Sequence, residues 1–181
     1  MVQGTELGNL RMIRLREMNI DDSALFNLAK WKSLVTVDLY GTNVKGESLS
    51  ALAALPGLQV LDLSKCPLVD AFEIDKLTQL RELELNTTGI GDKGLERVAA
   101  LTKLRVLGLD HTRVTDDGLA HLKPLSSLET LRLAGTAVTD SGLKHLEALA
   151  ALKHLYLDST KVSEEAKIKL TMTRPSLTLH Y

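Results

Sequence analysis

The sequence predicts an α/β solenoid, in which one strand–helix unit is stacked repeatedly along the chain. The first observation is a leucine spacing, because the leucines that set the phase of the repeat recur every 24 residues, with one interval of 22. The second is local: each unit begins with alternating apolar and polar residues and continues with apolar residues at three-residue steps. The first pattern is typical of a short strand, and the second of a short helix or 3₁₀ turn. Such units bury a continuous core only by stacking on one another.

The repeat predicts a single domain over residues 1–181. Seven units begin at Leu10, Leu34, Leu58, Leu80, Leu104, Leu128 and Leu152. A terminal strand is expected near 177–181, after Pro175. Residues 1–9 are interpreted as a partial or capping segment, because Leu7 has the place of a preceding unit's last leucine. A solenoid end needs covering, so we expect the protein to continue upstream or this end to pack against something.

The unit L-x-x-L-x-L-x-x-T-x-V-T-D-x-G-L-x-x-L-x-x-L resembles the leucine-rich repeat, and its period lies in the range of that family. Val114 to Leu119 and Val138 to Leu143 carry V-T-D-x-G-L in full. This is the hallmark of the cysteine-containing subclass, known from F-box substrate receptors, in its shorter bacterial form. The resemblance implies a curved right-handed stack, with a parallel sheet on the concave side and short helices on the convex side.

Four further expectations follow from individual positions of the repeat. The cysteine position of the subclass holds threonine in five units, whose hydroxyls should bond backbone groups where the chain leaves each strand. Cys66 has this position in the third unit and is expected to be buried rather than nucleophilic. That unit is two residues short and carries Pro67, which predicts an irregular convex segment. Pairs such as Thr115-Asp116 and Thr139-Asp140 are expected to cap the helices that follow.

Strand side chains alternate, so the residues between the leucines are predicted to form the concave face. The candidate partner-binding residues on this face are Arg14, Arg16, Asp38, Tyr40, Asp62, Glu82, Glu84, Asn86, Asp110, Arg132, Tyr156 and Asp158. Within this set an acidic belt crosses the second to fourth strands: Asp38, Asp62, Glu82 and Glu84. Stacked like charges cost free energy unless they are matched.

Two interpretations of the acidic belt remain open: a basic partner segment supplies the match, or cross-strand ion pairs such as Arg14–Asp38 do. Tyr40 and Tyr156 are likewise either interface anchors or tyrosines that lie over neighbouring side-chain stems.

Composition limits the other classes of function. The formal charge of −1 argues against general nucleic-acid binding, and no apolar stretch is long enough to span a membrane. The first residues lack the basic and apolar regions of a signal peptide, so none is expected in this chain, and a single cysteine gives no support for an oxidising compartment; a cytoplasmic location is therefore slightly favoured. The oligomeric state stays open. His121 and His145 lie on the convex side without a third ligand, so no metal is expected.

No nucleophile–base pair, P-loop or dinucleotide fingerprint is present, so we expect neither catalysis nor a cofactor. The sequence therefore favours a non-catalytic scaffold that binds a protein or peptide, for example one with a basic segment. A structural or accessory domain of a larger protein is an alternative. The F-box resemblance suggests another, a ubiquitin-ligase substrate receptor or an effector. A carbohydrate-binding or hydrolytic role is disfavoured, because Asp38, Asp62 and Glu84 are expected to be too open and too alike for paired carboxylate chemistry.

Overall fold

The computed structural model describes residues 9–181, so nearly all of the predicted segment 1–9 lies outside the described residues. Short strands pair in parallel to form one eight-stranded sheet, and each strand lies beside its neighbours in chain order. The strands are β1 Met12–Arg14, β2 Thr36–Asp38, β3 Val60–Asp62, β4 Glu82–Glu84, β5 Val106–Gly108, β6 Thr130–Arg132, β7 His154–Tyr156 and β8 Thr178–His180. The predicted terminal strand near 177–181 is therefore β8.

Short helices connect most of the strands. The α-helices are α1 Ser23–Leu28, α2 Asp92–Val98, α3 Asp116–Leu119, α4 Asp140–Leu143 and α5 Glu164–Thr173. The 3₁₀ helices are η1 Leu49–Ala54, η2 Ala120–Leu122 and η3 Lys144–Ala148. In the described chain no helix connects β3 to β4, which confirms the irregular segment predicted for the short third unit. Phe72 of this segment is 1 % exposed and fills the core where the other units place helical leucines.

The core is a ladder of leucines between the sheet and the helices. Leu61, Leu83, Leu107 and Leu131 are the central residues of β3 to β6, and none is exposed to solvent. Each pairs in register with the next along the sheet. The residues on either side of these leucines therefore point away from the helices and form the face that the sequence predicts to be concave.

Threonines hold the chain where it leaves the strands, as predicted. The hydroxyl of Thr88 donates to the carbonyl of Leu85 at 2.6 Å, and that of Thr136 to Leu133 at 2.7 Å. The same bond, to the carbonyl three residues earlier, is made by Thr42, Thr112 and Thr160.

Cys66 has the corresponding position in the third unit and is 2 % exposed, as predicted. Its thiol lies 3.2 Å from the carbonyl oxygen of Leu39 in the preceding unit, to which it donates. Burial raises the pKa of the Cys66 thiol. A thiol held in its protonated form is a poor nucleophile, which agrees with a structural role.

The expected helix caps are only partly correct. The Thr139 hydroxyl accepts from the backbone of Ser141 at 3.2 Å, but Thr115 makes no side-chain cap bond. The stronger contact runs between units, because the Asp116 carboxylate accepts from the Thr139 backbone at 2.8 Å and from its hydroxyl at 2.6 Å. A Cβ on Gly142 would lie 2.3 Å from this carboxylate. The T-D-x-G-L motif therefore encodes a bond from each unit to the next.

The exits of β1 to β7 each also contain one residue in the left-handed region of backbone conformation. Gly41 and Gly135 have this position in two units, each with φ of +67°. Five non-glycine residues adopt the same conformation: Glu17, Lys65, Thr87, His111 and Ser159. The strained conformation orients the backbone for pairing with the next unit, as when the N–H of Thr87 donates to the carbonyl of Asp110 at 2.7 Å.

Candidate partner-binding surface

The register of the sheet stacks equivalent candidate residues of neighbouring strands in a column across the sheet. Arg14 pairs with Asp38, Asp38 with Asp62, and Asp62 with Glu84. The same column continues through Gly108, Arg132 and Tyr156. Its last member is His180 on β8, opposite Tyr156. Two further columns flank this one, formed by the residues two positions before it, such as Glu82, and two positions after it, such as Asn86. The three columns together are called the concave face below.

At the first strands of this face, two arginines neutralise the acidic column. The Nε of Arg16 lies 2.8 Å from a carboxylate oxygen of Asp38, and its Nη2 lies 3.3 Å from Asp62. Arg14 lies 3.9 Å from the same Asp38 oxygen. The Asp38 residue is only 7 % exposed, whereas the side chains of Arg14 and Arg16 are more than half exposed, so only the carboxylate is shielded from solvent. Of the two interpretations of the acidic belt, cross-strand ion pairing is therefore present here.

The carboxylates of this column also bond their own strand. Asp38 accepts from the backbone of Tyr40 at 3.2 Å, and Asp62 accepts from that of Ser64 at 2.9 Å. These hydrogen bonds restrain the orientation of both carboxylates, in addition to the ion pairs. Asp38 and Asp62 are therefore rigid parts of the face rather than mobile, solvated groups.

Tyr40 lies half-buried between two cations. The guanidinium carbon of Arg16 is 4.9 Å from the ring centroid, and the Nζ of Lys65 is 5.0 Å from it. Contacts of this kind contribute roughly 0.5–1 kcal/mol at exposed sites. They hold the ring in one position and leave part of it accessible, which is compatible with both interpretations of Tyr40.

At the middle strands a second ion pair crosses the sheet. The Glu84 carboxylate on β4 bonds the guanidinium of Arg132 on β6. The Asn86 side chain donates to the other Glu84 oxygen at 2.8 Å. Glu84 is 9 % exposed, and this burial raises the pKa of its carboxyl although Arg132 opposes the shift. Glu84 on the fourth strand thus also has its counter-charge within the chain.

Asn86 and Asp110 extend this network toward β6. The Asn86 side-chain oxygen accepts from the backbone of Asp110 at 2.8 Å, and the Asp110 carboxylate accepts from that of Ala134 at 2.7 Å. Burial raises the pKa of Asp110. Each side chain therefore bonds the backbone one strand further along, which fixes the flanking column.

Two of the candidate carboxylates have neither an ion pair nor a side-chain hydrogen bond among the described residues, whereas Asp110 lacks an ion pair but accepts from the Ala134 backbone. Glu82 is half-buried and Asp158 is exposed. Within residues 9–181, neither takes part in an ion pair. Glu82 and Asp158 are therefore the acidic groups that the concave face presents to solvent with neither a counter-charge nor a hydrogen bond.

The last strands carry an aromatic row that sequence reasoning found only in part. The rings of Tyr156 and His180 stack, with centroids 4.1 Å apart and planes 8° apart. Arg132 lies 5.7 Å from the Tyr156 centroid. His154 is exposed, and its Nδ1 lies 3.5 Å from the Nε2 of His180. His180 was not predicted as a site residue, although extending the central column by one unit would have included it.

Comparisons with known proteins identify the same repeat. Residues 76–99 and 125–146 match the family model described as Leucine Rich repeat. The structure of an internalin (inlF) of Listeria monocytogenes aligns over 96 % of this chain and 48 % of its own, with a TM-score of 0.77 and 22 % identity. Internalin C2 of the same species aligns over 96 % of this chain and 82 % of its own, with a TM-score of 0.70 and 21 % identity.

The chain therefore has the predicted leucine-rich repeat solenoid fold, and it spans about half the length of the internalin inlF structure. No curated protein sequence matches it. In the described part of the chain, no group of three or more His, Cys, Asp or Glu residues could hold a metal ion. Among residues 9–181, no helix is long and apolar enough to cross a membrane.

Proposed function

We propose that this chain is a non-catalytic scaffold that binds a protein or peptide on its concave face. The observation that carries this proposal is the fixed geometry of that face, in which the carboxylates of Asp38, Asp62 and Glu84 are each held by an arginine. Side chains that are already ordered lose little conformational entropy when a partner binds. The leucine-rich repeat fold supports the same conclusion by analogy, which does not by itself establish function.

The charge of the face favours a partner with a basic segment. The candidate set contains six carboxylates and three arginines, so an acidic excess remains after internal pairing. The carboxylates without an ion pair are Glu82, Asp110 and Asp158, and all three are at least partly exposed. Charge complementarity of this kind mainly sets the association rate and the choice of partner.

The resemblance to the cysteine-containing subclass remains part of this proposal. Its support is the position shared by Cys66 and the five threonines, each bonded to a carbonyl at a strand exit. The ubiquitin-ligase and effector alternatives rest on this resemblance alone. The scaffold proposal does not require them.

The test is site-specific photo-crosslinking with the full chain in cells of the source organism. A photoreactive amino acid is placed at Glu82 or Asp158 on the concave face, and at Glu96 or Asp117 on the helical side. All four positions keep at least part of the side chain accessible. We expect the same partner to crosslink from both concave positions and from neither helical position. Crosslinks from the helical positions alone would contradict the proposal and favour the accessory-domain alternative.

A charge-reversal pair then tests the chemistry of the partner. Glu82→Lys with Asp158→Lys should weaken binding of the crosslinked partner, chiefly through a slower association rate that depends on salt. Glu96→Lys with Asp117→Lys makes the same charge change on the helical side and should leave the affinity unchanged. Equal losses in both variants would exclude specific recognition by the concave face. Asp38, Asp62 and Glu84 are unsuitable for this test because their substitution also breaks internal ion pairs.

A further inference from the structure

The two histidines at the last strands are placed as a pair of metal ligands. His154 lies on β7 and His180 on β8, and the two residues sit diagonally across neighbouring parallel strands. Their facing ring nitrogens, Nδ1 of His154 and Nε2 of His180, are 3.5 Å apart. Both nitrogens are ligands for transition metals when the imidazole is neutral.

This separation suits two metal bonds better than it suits a hydrogen bond. Hydrogen bonds from N–H groups are strongest at about 2.7–3.2 Å, so the 3.5 Å contact stabilises the protein little. Zinc–imidazole bonds are about 2.0–2.1 Å long, and two of them at a tetrahedral angle separate the nitrogens by about 3.4 Å. The observed spacing is within a small side-chain adjustment of that value.

The surroundings hold one ligand in place and leave the other free to adjust. The His180 ring stacks on Tyr156 at 4.1 Å, with the planes 8° apart, which fixes its plane against the sheet. Arg132 lies on Tyr156 as well, so the stacked row continues along the central column. His154 is exposed and can rotate its ring toward a shared ion. A ligand that is held by a neighbouring group loses less entropy on binding.

We propose that His154 and His180 form a two-histidine site for a divalent transition-metal ion of tetrahedral preference, of which Zn²⁺ is the representative. The protein supplies two ligands, and water or a donor group of a bound partner occupies the remaining positions. The site lies on the concave face, but it does not depend on the proposed partner-binding function, because it can be measured in the isolated chain.

The experiment is calorimetric titration of ZnCl₂ into the full chain, with any purification tag removed. We expect saturable one-to-one binding in the wild type. The affinity should fall by at least about tenfold in both His154→Ala and His180→Ala, since each variant leaves a single ligand. Binding of Zn²⁺ should also raise the melting temperature of the wild type and of neither variant, because a ligand stabilises the state that binds it.

The matched control is the double variant His121→Ala, His145→Ala, which removes the two histidines of η2 and η3 on the helical side. It should bind Zn²⁺ as the wild type does. His154→Gln, which keeps a polar side chain of similar reach, serves as a second variant if His154→Ala fails to fold. The proposal is overturned if the wild type shows no saturable binding, or if removal of either strand histidine leaves the affinity unchanged.

Discussion

Glu84 and Arg132 form an ion pair across an entire intervening strand, and Gly108 is the residue they pass over. Strands β4 and β6 lie about 10 Å apart, since neighbouring strands are separated by about 4.8 Å. The two long side chains meet above β5 because Gly108 has no side chain at that point. A Cβ placed on Gly108 would lie 1.8 Å from a carboxylate oxygen of Glu84. The ion pair therefore requires glycine at position 108.

Gly108→Ala should destabilise the protein by about 1–3 kcal/mol, because the added methyl displaces the buried Glu84 carboxylate from its partners. The measurement is the free energy of unfolding in urea. Gly57→Ala is the matched control, since its added Cβ would meet no atom closer than 3.5 Å. It should change stability by no more than about 0.5 kcal/mol. Equal effects of the two substitutions would contradict the proposed coupling of Gly108 to Glu84.

Asp116→Ala should cost about 1–3 kcal/mol, because it leaves the backbone N–H and hydroxyl of Thr139 without their acceptor. Asp117→Ala changes the adjacent, exposed carboxylate in the same helical turn. It should cost at most about 1 kcal/mol, from the lost interaction with the helix dipole. Urea unfolding of the two variants gives the comparison. A larger loss for Asp117→Ala would show that the bond between units is unimportant.

Thr87→Gly should stabilise the protein. Thr87 has φ of +58°, a conformation that costs an L-residue about 1–2 kcal/mol and a glycine almost nothing. Glycine loses about 0.5–1 kcal/mol more in backbone entropy on folding, so the expected net gain lies between about 0 and 1.5 kcal/mol. Thr102→Gly, at an exposed position outside the positive-φ set, should instead be destabilising. Thermal unfolding of both variants distinguishes the signs, and a loss in Thr87→Gly would contradict the strain argument.

Glu84 and Glu129 should contribute with opposite signs to the pH dependence of the free energy of unfolding. Burial raises the folded-state pKa of Glu84, so its favourable contribution is present at low pH and is lost as pH rises through that pKa. Hydrogen bonds from Lys153 and Arg105 lower the pKa of Glu129, so its contribution is present at neutral pH and is lost as pH falls.

The corresponding variants are Glu84→Gln and Glu129→Gln, each compared with the wild type by urea unfolding between pH 4 and 7. With rising pH, the stability of Glu84→Gln relative to wild type should increase, and that of Glu129→Gln should decrease. Parallel trends in the two variants would show that burial does not dominate the ionisation of Glu84.

Much of the architecture could be predicted from the sequence because it depends on two regular spacings, that of the repeat and that of the residues within each strand. The 24-residue spacing placed the phase-setting leucines, and the alternation within each strand placed Asp38, Asp62 and Glu84 in one column. The hydroxyl bonds of the threonines followed from the need to satisfy backbone groups at each strand exit. The irregular third unit followed from its missing residues.

The sequence by itself thus determined the fold, the columns and the residues facing outward, because these follow from local periodicity. The contact of Arg14 with Asp38 on the next strand could also be predicted, but only the tertiary structure decided which charges meet beyond neighbouring strands. The pair formed by Glu84 and Arg132 spans 48 residues of sequence and depends on the absence of a side chain at Gly108. The contact of His154 with His180 likewise depends on how β8 pairs with β7. The repeat period determines which strands are neighbours. Whether two charged side chains can meet also depends on the side chains that lie between them.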